Sequence, residues 1–162
     1  MTVVLSRVVA AAACAVALGG CGEDESGGPL SKSEYQERFR EIVHEAEESA
    51  PDPPSTQQTP QEQAEEIDAG LDRLRSTASD LAELEPPAEI ARAHTMFVSG
   101  LRGFADDAEK VVTVLRAGDE RRVNAMLESG RVATPATARK IGGARREFAE
   151  KGYDLGGVSD FL

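Results

Sequence analysis

From Ile90 to Leu115 the apolar side chains Ile90, Phe97, Leu101, Phe104, Ala108, Val111 and Leu115, with His94 among them, fall at spacings of 4, 3, 4, 3, 4, 3 and 4. That rhythm keeps them on one stripe of an α-helix and is incompatible with a strand, whose faces alternate every second residue. The stripe predicts a helix from about Ala88 to Arg116, ~43 Å long at 1.5 Å per residue. A helix of that length must lay its seam on neighbours.

The flanking segments supply them. Ser31-x-x-Glu34 is a capping box, and Tyr35, Phe39, Ile42, Val43 and Ala46 follow on one face. "PDPPSTQQTP" (Pro51 to Pro60) ends this first helix. Thr59 as N-cap, Pro60 at the first helical position and Glu62 as the box partner open a second. Its seam is Ile67, Leu71, Leu74, Ala78, Leu81 and Leu84, closed by Glu85-Pro86-Pro87. Gly118 stops the long third helix and Asp119 caps a short fourth, to about Ser129, with Val123, Met126 and Leu127 inward. Thr134-Pro135 starts a fifth that buries Ala138, Ile141, Ala144 and Phe148 and runs to about Lys151, with Gly152 behind it. No segment alternates with period two. The expectation is all-α: an antiparallel bundle of four to five helices without a sheet, over residues 31–152. A loose tail, 153–162, follows and docks through Tyr153, Leu155 and Phe161.

The N-terminus has a different character. Arg7 precedes eleven apolar residues, Val8 to Leu18, too few for the roughly 20 a membrane-spanning helix needs. Next comes "LGGC", Leu18 to Cys21. A short apolar region ending in Leu-x-Gly-Cys resembles the lipobox of bacterial lipoproteins; Gly19 is a mild departure and the other positions fit. The resemblance implies that residues 1–20 are a signal peptide cut off before Cys21, and that the Cys21 sulfur carries a diacylglycerol. The chain would then be anchored to the outer face of the cell membrane. Residues 21–30, small, acidic and glycine-rich, read as a flexible tether. "LAELEPPAEIARAHTMFVSGL" (Leu81 to Leu101) is similar to small helical lipoproteins of high-GC Gram-positive bacteria. That likeness implies a habitat and a shape and carries no activity.

If Cys21 is acylated, the chemistry narrows. The chain has two cysteines, and Cys14 lies in the discarded segment. No thiol remains for redox catalysis or thiolate-metal ligation. Without Arg7 the 18 basic residues become 17 against 29 acidic ones, a net charge of −12, which argues against nucleic acid as a partner. The charge is uneven: residues 22–89 carry −14 and residues 90–162 carry +2. "RVATPATARKIGGARR" (Arg131 to Arg146) holds five bases and no acid. The run could meet anionic headgroups or wall polymers, or face the acidic helices of its own bundle; the unequal halves favour the second.

Bundles hold metals and haem on inward side chains, so both histidines are tested first. Glu41-x-x-His44 resembles half of a di-iron motif, but His44 lies some 140° from the apolar face, and position 91, where the second half would need Glu, is Ala91. His94 sits in the long helix's seam. Met96, two residues on, faces elsewhere; Met126 is the one plausible second ligand for a cofactor. The plainer reading of His94 is a packing residue bonded to a carboxylate on a neighbouring helix, or a cap after the Pro-Pro turn.

No Gly-x-Ser-x-Gly elbow, P-loop or Gly-x-Gly-x-x-Gly is present, and Asp106 and Asp107 diverge by about 100° on one helix. Gly142 and Gly143 read as close helix packing. The expectation is a non-enzymatic, cofactor-free binding module for an envelope protein partner. A carrier of a small ligand, haem or metal, using His94 and Met126, is the alternative.

Overall fold

The computed structural model describes residues 28–49, 58–129 and 132–156. They form five α-helices and, among the described residues, no strand: α1 Lys32–Glu48, α2 Pro60–Ala82, α3 Ala91–Arg116, α4 Glu120–Glu128 and α5 Pro135–Glu150. The chain is an all-α helical bundle. Cys21 and Phe161 lie outside the described residues.

Side-chain chemistry fixes where the helices begin. Ser31 with Glu34, and Thr59 with Glu62, form complete capping boxes that satisfy first-turn N–H groups otherwise left without partners. Thr134 accepts from the Thr137 N–H, with Pro135 at the first helical position. The third helix starts three residues later than the sequence suggests. After Pro86-Pro87, residues 88–90 make a turn closed by Ile90 N–H to Pro87 O at 3.0 Å, and only then does the helix propagate. Leu30 N–H donates to Glu85 O at 2.9 Å, which pins the start of the bundle onto this same turn.

Helix α3 is the central element. It packs on α2, on α5 and, near its C-terminus, on α4, while α1 packs on α2. Cross-links between ends define an antiparallel arrangement: Arg73 of α2 donates to Ser49 O behind α1, Arg116 of α3 pairs with Asp68 of α2, and Arg92 of α3 with Glu147 of α5. A helix enclosed on several sides buries more than one seam. Ala93, Ala105 and Val112 are fully buried although they lie off the stripe that the sequence singles out, whereas Phe104 is only half-buried. In α5 the inward residue of the first turn is Thr137, and Ala138 is exposed.

The core has two parts strung along α3. Near the α1 start, Tyr35, Phe39, Phe97, Phe148 and Tyr153 bring together five of the chain's seven aromatic residues, with ring centroids 5.6–6.5 Å apart. Their tilted and edge-on pairings each add about 0.5–1.5 kcal/mol beyond area burial. Toward the far end the core is aliphatic, with Leu71, Val111, Val112, Leu115 and Val123. Met126 packs against this second cluster; the side chain of Leu127 lies outside the described residues.

Candidate functional site

The end of α5 builds one wall of an open cavity. Gly152 adopts φ +68°, a conformation that strains any side-chain-bearing residue. Its N–H bonds to Ala149 O and the Tyr153 N–H to Phe148 O, both at 2.9 Å, a full Schellman termination. The chain therefore doubles back, and Tyr153 and Leu155 are buried, so the first part of the tail belongs to the bundle. Gln36 of α1 accepts from the Asp154 N–H at 2.7 Å, and Lys32 Nζ donates to Lys151 O at 2.9 Å while lying 4.6 Å from the centre of the Tyr153 ring. The Tyr153 hydroxyl donates to Glu89 at 2.8 Å. Burial, and then the Glu89 carboxylate, push this phenol up to about 12.

Between this returning segment and α5 is an open cavity of ≈530 Å³, with Arg145 and Arg146 on its α5 side and Phe148, Ala149, Tyr153 and Leu155 as apolar wall. Gly142 and Gly156 line it without side chains. Arg146 is exposed and has no ion-pair partner among the described residues; Arg145 is half-buried. The Asp154 carboxylate, also at the rim, is engaged by the Gly156 N–H at 3.1 Å. A site that joins guanidinium donors to an aromatic and aliphatic wall suits an anion carrying an apolar part. A second cavity, of ≈120 Å³ between α1 and α2, offers less, because its Arg73 is spent on Ser49 O at 2.9 Å.

The sequence's cofactor candidates do not meet. His94 is 6 % exposed, and its Nδ1 lies 2.9 Å from the hydroxyl of Tyr35, also buried. Its partner is thus a phenol from α1, not the carboxylate or cap that the sequence suggested. Burial lowers its pKa and favours the neutral ring. Met126 packs against the aliphatic cluster, whose α3 residues begin at Ala105, about 16 Å along the helix from His94, so the two belong to separate parts of the core. His44 is exposed and 3.5 Å from Glu48. Among the described residues, no group of three or more His, Cys, Asp or Glu could hold a metal ion, and no helix is long and apolar enough to cross a membrane.

Three of the five bases of the run, Arg139, Lys140 and Arg146, depart from the favoured expectation. Among the described residues no ion pair joins Arg139, Lys140 or Arg146 to the acidic helices, and Lys140 donates instead to Ser99 Oγ at 2.8 Å. The α2–α3 contacts carry the neutralisation: Arg75 with Glu109 at 2.8 Å, and Arg116 with Asp68. Arg131 lies outside the described residues.

Asp107 is the buried charge that the sequence did not signal. At 7 % exposure it accepts from the Thr134 N–H at 2.7 Å, Thr137 Oγ1 at 2.9 Å and Lys110 Nζ at 2.7 Å. Burial alone would raise its pKa, but these donors outweigh burial and hold the carboxyl well below the usual range. It ties the first turn of α5 to the middle of α3. Compared with known proteins, the chain matches no family model, no curated sequence and no solved structure.

Proposed function

We propose that this chain is a lipid-anchored protein of the outer face of the cell membrane, held through Cys21, and that its bundle is a non-enzymatic binding module. The ≈530 Å³ cavity beside α5 carries the binding part of this reading, since it joins Arg145 and Arg146 to an apolar wall. A carrier built on His94 and Met126 is set aside, because those residues belong to separate parts of the core. The anchor rests on the lipobox-like Leu18–Cys21 and the acidic stretch behind it.

The test is expression in a bacterial host with labelled palmitate, followed by membrane fractionation and crosslinked pull-down. Wild-type chain should take up label and sediment with membranes, Cys21→Ala should do neither, and Arg146→Glu should keep the anchor while losing crosslinked partners. An unlabelled wild-type chain, or a labelled Cys21→Ala, would refute the anchor. Partners unchanged in Arg146→Glu would move the binding surface elsewhere.

A further inference from the structure

We propose that the cavity between α5 and the returning segment seats the phosphate headgroup of an anionic phospholipid in the membrane to which the chain is anchored; this rests on the anchored reading above. Two observations converge on it. The first is position. The tether enters α1 at Ser31, and the returning segment is fastened to that same end by Lys32 on Lys151 O and Gln36 on the Asp154 N–H. Gly156, at the cavity rim, lies against the side chain of Arg40, eight residues or ~12 Å into α1. Ten residues from Cys21 to Leu30 span at most ~35 Å, so a chain held at Cys21 keeps this end of the bundle within reach of the headgroups.

The second is chemistry. Guanidinium groups match phosphate oxygens with paired N–H donors, and Arg146 has no competing carboxylate among the described residues. Of the nearby acids, Glu147 pairs with Arg92, and Asp154 is a charged rim group whose Oδ1 is held by the Gly156 N–H. Phe148, Ala149 and Leu155 offer an apolar wall to the glycerol carbons and first methylenes. A free phosphate would use the arginines alone and leave that wall wet.

The experiment uses unlipidated chain beginning at residue 21 with Cys21→Ser, which retains every described residue, so that binding is read without the anchor. Co-sedimentation with phosphatidylcholine vesicles doped with phosphatidylglycerol should show binding that pure phosphatidylcholine does not. Arg146→Ala should weaken it about fivefold, in line with the worth of a base at a membrane surface. Arg139→Ala removes the same charge from the same helix outside the cavity and should change binding by less than about twofold. Melting curves check that each variant stays folded.

Equal losses from Arg139→Ala and Arg146→Ala would replace the site with diffuse attraction and overturn the proposal, as would no binding to the anionic vesicles. Soluble glycerol phosphate competing as well as the lipid would make free phosphate the ligand. Binding seen only when the chain is ended at Gly156 would make residues 157–162 the occupant. Vesicle binding without palmitate labelling in cells would sink the anchor and leave the site standing; labelling without vesicle binding would do the reverse.

Discussion

The hydroxyl of Tyr35 and Nδ1 of His94 share a 2.9 Å hydrogen bond inside the aromatic core, joining α1 to α3. Among the described residues the phenol has no other hydrogen-bond partner, so we assign it as the donor and place the imidazole proton on Nε2. Tyr35→Phe keeps the ring and strips the donor from a buried nitrogen, which should cost about 1–3 kcal/mol. Urea denaturation would read this as a lower midpoint at unchanged slope. Adding His94→Phe should cost less than the sum of the two single changes, because a pair of apolar groups leaves no polar atom stranded.

Acid should weaken the same junction. The folded pKa of His94 lies below its ordinary 6.5, so the unfolded chain takes up the proton more readily. Stability from this group is complete above about pH 6.5 and is lost as pH falls toward the folded value. Unfolding midpoints in urea should therefore decline between about pH 7 and pH 5, and His94→Gln should flatten that decline. An unchanged slope in the variant would assign the effect to other groups.

Asp107 acts in a separate window. Its carboxyl is held below the ordinary 3.8, so its contribution is present above about pH 4 and disappears as pH falls further. Asp107→Ala strands the Thr134 N–H, takes one of two hydroxyl-bond partners from Thr137 Oγ1, and should cost about 1–3 kcal/mol at neutral pH. Hydrogen exchange should localise the damage: amides in the first turn of α5 should open well before those in the middle of α3. Uniform loss of protection would refute its role as an anchor for α5.

Local signals fared best in the sequence. Capping boxes at Ser31 and Thr59, and the stops at Gly118 and Gly152, depend on residues within one helical turn of each other, and each stands where its motif does. Tertiary chemistry was less visible. Asp107 sits beside Asp106 in an ordinary polar stretch; Lys110 is a local donor, and the Thr134 and Thr137 donors arrive only with the return of α5, 27 residues on. Thr137 replaces Ala138 as the inward residue because that same carboxylate draws it in. His94 was legible as buried, but not its partner, which arrives from α1, 59 residues away. Cavity residues Arg145 and Arg146 stood out as charge; their apolar wall depends on a chain reversal at Gly152 that the sequence marks only as an ending.

The glycines separate in the same way. Gly142 and Gly143 looked like packing glycines, yet a Cβ on Gly142 would meet only Arg146, and one on Gly143 only the flexible tip of Met96, at 2.8 Å. The tight approach of α3 to α5 is at Gly100, where a Cβ would lie 2.5 Å from Ile141 Cγ1 and 3.3 Å from its backbone nitrogen. Gly100→Ala gains about 1 kcal/mol of helix propensity but must push apart two packed helices. Overpacking of this kind costs about 1–3 kcal/mol, so the net change should be destabilising. Gly70, inside α2, has nothing within 4 Å of such a Cβ, and Gly70→Ala should stabilise by about 0.5–1 kcal/mol. Thermal melts of the two variants should thus move in opposite directions from wild type. A Gly100→Ala melt at or above wild type would show that α3 and α5 can separate freely, and that Ile141 does not fix their spacing.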